Sequence, residues 1–444
     1  FQFYFLDDHE LLSINKSDYQ LYDKECNKKQ LSFTQLNIKN EEINMINEDA
    51  NMVEQIKSEM IHTVESKKFG IIGYLVIDRL IGGSSFGGVR IVPDMSLSEL
   101  QFVARSMTYK NAFIGNKIGG AKAAVIINKE NEKYKRDILI EFGKSISPYV
   151  KNRTYFPVMD MGIKINELQI IFDSTGIRCN VLSWKNLSHE YTAYSCFYAT
   201  LCALEAKGIS LKDTTFSVQG FGSVGSTYAE LMCKAGASLV AFSNKYFGII
   251  DNKGFNNGEL NKLLIERSTK GDEFILEQPT NRQVLHNSVL EIDATVLLPA
   301  SSALAINDEN WKRINADIII CAANAPMSYE TERLLFKNGK TIVTDFVANC
   351  GGILGSIMDN YVGNEIILHI ISTYYKRKIR NLLSQSLDLG KPLVDIVIEE
   401  VEKRIDSDYK DIDSSNKLVE YMLSKTLNKY LSNKYVSRYE TLWS

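Results

Sequence analysis

Lys110 and Lys122 stand twelve residues apart in an otherwise apolar and glycine-rich stretch that runs from Met107 to Val125. Lys122 follows Gly119-Gly120-Ala121 and opens the run Ala-Ala-Val-Ile-Ile, which reads as a buried strand. Burying an unpaired charge is costly, so an ammonium in such a run needs either an outlet to water or a task. The small residues ahead of it let backbone, cofactor or substrate come close. A matching acid lies downstream: Asp160, in Tyr155-Phe-Pro-Val-Met-Asp-Met-Gly162, placed at a strand end that turns into a loop. Alone, a loop aspartate is usually a turn former or a helix cap. Beside two lysines it gains weight as one member of a titratable set. A free lysine, with a pKa of about 10.4, is a poor base near neutrality. Desolvation and the charge of Lys110 favour a neutral Lys122 while Asp160 opposes it, so the three titrate as a coupled unit.

A second constellation is Ser217-Val-Gln-Gly-Phe-Gly-Ser-Val-Gly225. The apolar residues from Thr215 to Val218 run into Gly220, Gly222 and Gly225, and a helix-like stretch from Ser226 to Ala235 follows. This is G-x-G-x-x-G with the strand before it and the helix after it that a dinucleotide turn requires. The first glycine makes the turn, the second admits a pyrophosphate, and the third lets helix pack on strand, with Ser223 and Val224 inside the same turn. A further strand, Ser238 to Ser243, ends at Asn244, where a ribose-binding acid is expected. An amide bonds a ribose hydroxyl without repelling a 2′-phosphate, and the neighbouring Lys245 would attract one. NAD and NADP both stay open.

At these residues the chain resembles the glutamate/leucine/phenylalanine/valine dehydrogenases. The resemblance rests on Gly87-Gly-Val-Arg90, Met107-Thr-Tyr-Lys-Asn-Ala112, Gly119-Gly-Ala-Lys122, Met159-Asp-Met-Gly162 and Val218 to Gly225. Leu298-Pro-Ala300, Ala323-Asn-Ala-Pro326 and Val347-Ala-Asn-Cys-Gly-Gly352 continue it in order. It spans about Phe69 to Gly355, roughly two thirds of the chain. It implies reversible oxidative deamination of an L-amino acid to a 2-oxo acid and ammonia, with hydride passing to NAD or NADP. By the same resemblance Lys110 holds the α-carboxylate, Lys122 activates the attacking water and Asp160 shuttles protons to and from the amino group. Asn324 and Asn349 match residues that hold cofactor and nicotinamide amide near the substrate, and Thr192 matches a threonine near the nicotinamide. The chain departs from the family at Ser195 and Cys196, which replace a glycine-containing pattern, and at Ala123-Ala124, which replaces the double glycine of the glutamate branch.

The side-chain pocket reads differently from that of the glutamate-specific relatives. Before Gly87 they carry a lysine for the substrate's second carboxylate, and here the residue is Phe86. A ring cannot neutralise a buried carboxylate, whose burial unpaired costs several kcal/mol. Opposite it the resemblance places Ser356, as in the glutamate branch. The pocket is therefore expected to be apolar with one hydroxyl and to favour a neutral side chain. A glutamate dehydrogenase with an altered anchor is the alternative within the family. A non-catalytic regulatory relative is the alternative outside catalysis, favoured by the N-terminal extension and Asn244 and opposed by the presence of Lys110, Lys122 and Asp160 together.

These residues need a scaffold, and the sequence outlines one: an α/β fold with a substrate and oligomerisation domain, a doubly wound Rossmann-type domain and C-terminal helices. Residues 1–66 read as a helical extension, with Met45, Met52, Val53, Ile56 and Met60 at helical spacing. Residues 67–186 form the substrate-binding and oligomerisation domain. Residues 187–385 form the dinucleotide domain, with strands near 215, 239, 293, 318 and 342. Residues 386–444 form helices that by the resemblance pack back on the first domain. A net charge of −3 with 24% charged residues argues against nucleic acid as a partner, and no apolar run is long enough for a membrane. Seven scattered cysteines without C-x-x-C point to free thiols in a reducing, cytoplasmic setting and against a metal site. The chain opens on Phe1, which leaves organelle targeting open. The expected partners are small: an amino acid or 2-oxo acid, ammonia, and further copies of the same chain in a homo-oligomer.

Overall fold

The structure is a computed structural model that describes residues 57–183, 188–358, 362–408, 436 and 438–443. Two sheets organise it. The first contains β1 (Met60–Ser66), β2 (Gly70–Ile77), β3 (Ser85–Val92), β4 (Gly119–Ile126) and β5 (Tyr155–Met159), in the order β1-β2-β4-β3-β5. β3, β4 and β5 run parallel, while β1 and β2 are antiparallel to their neighbours. β4 sits inside the sheet, and from Gly119 to Val125 every residue is buried, so its small side chains leave room for layers on both faces. One layer is α1 (Leu97–Phe113); on the other side α2 (Lys135–Lys151) and α3 (Ile165–Thr175) close over Ile72, Leu75, Val89, Phe142 and Phe172.

Met60 corrects the sequence reading. It was expected on the helical stripe of residues 1–66, yet it begins β1, which pairs with β2 from Met60↔Ile77 to Ser66↔Gly70. Val64 and Ser66 are buried while Thr63 and Glu65 alternate with them, a period of two that the methionine spacing obscured. The first sheet therefore starts before residue 67. Met45, Met52, Val53 and Ile56 lie outside the described residues.

α4 (Ser188–Lys207) leads into the second sheet. Its strands are β6 (Thr215–Gln219), β7 (Ser238–Ser243), β8 (Gly248–Ile250), β9 (Gln283–Val284), β10 (Val296–Pro299), β11 (Ile318–Ile320) and β12 (Thr341–Val343). They lie in the order β12-β11-β10-β6-β7-β8-β9, parallel from β12 to β7, with β8 and β9 added antiparallel. Helices α5 (Ser223–Lys234), α6 (Asn257–Lys270) and α7 (Tyr329–Lys337) cover it. β6 has β7 on one side and β10 on the other, so the strand order reverses there and opens a crevice beyond its carboxyl end.

The short helices α8 (Asp345–Ala348) and α9 (Gly351–Met358) lie after β12, followed by α10 (Asn364–Ile370), a π-helical turn, α11 (Lys376–Leu389) and α12 (Leu393–Asp408). The expected boundary at 385/386 falls inside α11, which runs through it unbroken. α12 buries Val394, Val397, Val401 and Ile405 and docks against α1. Arg79 and Glu402 pair through two hydrogen bonds at 2.6 and 2.7 Å, and Arg404 Nη1 donates to Ala112 O at 2.6 Å.

Candidate active site

Lys122 sits in the middle of β4, 2% exposed. Its Nζ lies 2.7 Å from Oδ2 of Asp160, just past the end of β5. Arg90 on β3, the strand between them, puts Nε 3.1 Å from the same oxygen. Gly88 permits this meeting: a Cβ there would stand 2.6 Å from Asp160 Cβ and 3.2 Å from Lys122 Nζ. Gly87 is as constrained, since a Cβ would stand 1.6 Å from Ala121 O, and its carbonyl accepts the buried Tyr155 hydroxyl at 3.0 Å. Burial brings the pKa of Lys122 down to about 8 against the pull of Asp160, and the cations Arg90 and Lys110 add to the lowering. Burial alone would raise the Asp160 carboxyl, but Lys122 and Arg90 outweigh it and hold it well below the usual carboxylate range.

Lys110 arrives from the last turn of α1, started by the Ser96 cap on Glu99 N. Its Nζ donates across the cleft to Asn324 Oδ1 at 2.7 Å. Burial lowers its pKa too, opposed first by Asp345. Asn349 Nδ2 donates to Ala322 O and Ala323 O at 3.1 and 3.2 Å, and its Oδ1 is buried with no partner among the described residues. Asp345 accepts from Ser106 Oγ at 2.6 Å and from Ala325 N at 2.8 Å, tying α1 to the Asn324 loop, where Ala325 has a φ of 52°.

These groups line one cleft of about 380 Å³ with Phe86, Phe156, Ile165, Thr192 and Ser356. The Phe86 and Phe156 rings lie nearly parallel, with centroids 6.3 Å apart. Phe156, Val158 and Asp160 follow at a period of two along β5, a signal that would have placed Phe156 in the pocket from sequence. His189 also lines the cleft, as does Val224. Ser356 Oγ donates to Gly352 O at 2.8 Å, so its proton is spent on its own helix. Thr192 Oγ1 donates to Ser188 O at 2.8 Å and packs where a Cβ on Gly352 would lie.

The dinucleotide turn opens at the same place. Gly220 has a φ of 98°, and a Cβ on it would stand 2.8 Å from the Ala300 carbonyl carbon. A Cβ on Gly225 would meet Gly220 O at 2.2 Å, whereas one on Gly222 meets nothing within 4 Å. The turn is thus tight at its first and third glycines and open at the second, and exposed Ser223 begins α5. Arg267, invisible as a site residue in the sequence, donates from Nε to Phe221 O at 2.8 Å and from Nη2 to Ser223 Oγ at 3.2 Å. This cradle and the unspent Asn349 Oδ1 fit a nicotinamide dinucleotide. Asn244 differs from expectation. Its Nδ2 donates to Asp272 O at 2.7 Å and its Oδ1 accepts from Tyr246 N at 2.9 Å, so the amide braces the turn into β8 instead of standing free for a ribose. Lys245 pairs with Asp272 at 3.2 Å. Among the described residues no cluster of His, Cys, Asp and Glu suits a metal ion, and no helix is long and apolar enough to cross a membrane.

Comparison with known proteins gives consistent matches. The family model described as Glutamate/Leucine/Phenylalanine/Valine dehydrogenase matches residues 185–388, and that described as Glu/Leu/Phe/Val dehydrogenase, dimerisation domain, matches residues 58–176. The chain is 28% identical over 306 residues to a glutamate dehydrogenase of Thermotoga maritima, covering 65% of this chain and 71% of that one. It is 26% identical over 288 residues to the NADP-specific glutamate dehydrogenase A1 of Halobacterium salinarum, covering 62% and 68%. Among solved structures, the hetero-hexameric glutamate dehydrogenase from Thermus thermophilus in its Leu-bound form shares the fold at a TM-score of 0.66, with 17% identity and coverage of 79% and 88%. The L-tryptophan dehydrogenase from Nostoc punctiforme does so at 0.54, with 21% identity and coverage of 79% and 96%.

Proposed function

Because the chain belongs to the glutamate/leucine/phenylalanine/valine dehydrogenase family, we propose that its cleft deaminates an L-amino acid with a neutral side chain. It is an amino-acid dehydrogenase that acts on a CH–NH2 group with NAD or NADP. The observation that carries the substrate reading is the meeting of Lys110, Lys122 and Asp160 beside two stacked phenylalanines and the dinucleotide turn.

Each residue then has a task set by its surroundings. Lys110 gives up or shares its bond to Asn324 to take the substrate α-carboxylate, a charge-assisted contact in a buried site. Asp160, kept ionised, accepts a proton from the substrate ammonium and frees the nitrogen lone pair. Bound NAD or NADP supplies the hydride acceptor for the α-carbon. Lys122, with a pKa brought down to about 8, exists partly as the free amine and takes a proton from water as its oxygen bonds to the imino carbon. Asp160 returns its proton to the nitrogen, ammonia leaves as the hydroxyl proton passes to the carboxylate so regenerated, and the 2-oxo acid remains. Asn349 Oδ1 is an acceptor available to a carboxamide N–H of the cofactor.

Phe86 supports a neutral side chain, because its ring offers a substrate carboxylate no charge. Arg90 is engaged by Asp160 and Glu99, and Ser356 has spent its proton. Glutamate with an altered anchor is the second reading, favoured by the curated relatives being glutamate dehydrogenases. The match of residues 58–176 to a dimerisation domain supports a homo-oligomer. The test is an absorbance screen at the nicotinamide band, with the common amino acids against NAD and NADP. We expect neutral substrates to exceed glutamate in kcat/KM. Preference for glutamate would overturn the side-chain reading, and no turnover with any amino acid would overturn the reaction.

A further inference from the structure

Asp160 gives one oxygen, Oδ2, to both of its cations, Lys122 Nζ at 2.7 Å and Arg90 Nε at 3.1 Å. Among the described residues no side chain engages Oδ1, which leaves that oxygen for the substrate amine. Arg90 is itself 4% exposed, and its Nη1 lies 3.6 Å from Oε1 of Glu99, in the first turn of the helix that carries Lys110 at its other end. A line of charges thus runs from the base to the start of α1: Lys122, Asp160, Arg90, Glu99.

We propose that Arg90 is the positioning residue of the proton-transfer pair, fixing the Asp160 carboxylate with Oδ1 toward the substrate and keeping Lys122 free to lose its proton. The inference rests on the deaminase reading above. Arg90 touches no reacting atom; it acts through Asp160. Without it one carboxylate would face one ammonium, and the closed pair would hold its proton on Lys122. With it two cations share one anion, and the excess positive charge favours the neutral amine. A guanidinium suits this role because it cannot itself give up a proton in the working range.

The surrounding charges can be named. Asp160, Arg90 and Lys110 face Lys122; Arg90 and Asp94 face Glu99; Asp345, Cys350, Asp160 and Cys196 face Lys110. Tyr155 faces Asp160. Burial pushes Cys350 up to about 12 and raises Cys196 and Tyr155 well above their ordinary values, so these three stay neutral. Lys110 is also lowered by burial, so the test must read Lys122 itself.

Two measurements do so: the pH profile of kcat/KM for deamination, and the pH dependence of acetic anhydride labelling of Lys122, read by mass spectrometry of its peptide. Arg90→Gln should move the acid limb and the labelling midpoint upward together, by roughly one pH unit. Arg90→Lys, which keeps the charge, should return most of that shift. Glu99→Gln, which removes the outer counter-charge, should move both slightly downward. A lower rate at every pH with limb and midpoint unmoved would show Arg90 to be only a brace in β3 and overturn the proposal. Should Arg90→Gln fail to fold, Arg90→Lys and Glu99→Gln decide it: native-like labelling in the first with a downward shift in the second supports it, and an unmoved second overturns it. A native protein that turns over no amino acid overturns the deaminase reading, while the labelling midpoint still judges Arg90.

Discussion

Lys122 combines burial with a partner, and the balance decides what it can do. An ammonium with only Asp160 beside it would be a fixed ion pair; burial, Arg90 and Lys110 tip it toward the free amine, at about 8. A lowered lysine loses its proton as pH rises through that value, so deamination should climb with pH across it and flatten above. A pH profile of kcat/KM tests the sign. Lys122→Ala should lower turnover by about 10²-fold to 10⁴-fold and leave dinucleotide binding nearly intact, since it removes a base and no cofactor contact. Titration of the variant with the dinucleotide separates that loss from misfolding. Phe86 lines the same cleft. Phe86→Lys should raise the ratio of kcat/KM for glutamate over the best neutral substrate, because an ion pair replaces an unpaired buried anion. An unchanged ratio would mean that Phe86 is not the selecting residue.

At the scale of elements, the orientation of Lys110 depends on how α1 ends. The last carbonyls of a helix lack intrahelical donors. Here Arg404 Nη1 serves Ala112 O and Phe113 O at 2.6 and 3.2 Å, Trp443 Nε1 serves Phe113 O at 3.3 Å, and Arg438 Nη2 serves Gly115 O at 2.6 Å. Segments far away in the chain thus cap the helix that carries Lys110. Arg404→Ala removes a charged donor from two carbonyls, Ala112 O keeping Gly115 N and Phe113 O keeping Trp443 Nε1, and should cost about 1–3 kcal/mol in a denaturation experiment. It should also raise KM for the amino acid more than it lowers kcat, a split that steady-state kinetics reads directly. Equal KM in native and variant protein would sever the link between this cap and Lys110.

At the scale of the whole molecule, the cleft is bridged twice, by Lys110 to Asn324 and by Ser106 to Asp345. Both bridges run from α1 to segments at the carboxyl ends of β11 and β12, Asn324 in a loop and Asp345 at the start of α8. Lys110→Ala removes a charge-assisted contact worth roughly 2 kcal/mol, about 30-fold in kcat/KM for the amino acid. Amines lacking the α-carboxylate should bind the native enzyme poorly and lose little more in the variant. Equal binding of amines and amino acids by the native protein would remove Lys110 as the anchor.

Much of this was legible in the residues. The glycine pattern between strand and helix, the lysine in an apolar run and the aspartate at a strand end are local signals, because turn geometry and strand burial depend on near neighbours in the chain. The aromatic residue at position 86, which the cleft includes, was legible in the same way. Met60 fits a helical stripe and a strand equally, because a few apolar residues match periods of two and 3.6 alike, and only pairing with β2 selects between them. Residue type marks Asn244 for a ribose and Ser356 for the pocket, which it does line, but which hydrogen bonds a side chain has already spent depends on its neighbours in space. Arg267 and Asp345 reach the site from elsewhere in the chain, and no local pattern marks them. The sequence by itself determined which chemical groups are present and which turns and strands present them. Only the tertiary structure decided that β3, β4 and β5 lie side by side, and that adjacency puts Arg90 and Lys122 on one carboxylate oxygen of Asp160 and so biases their protonation.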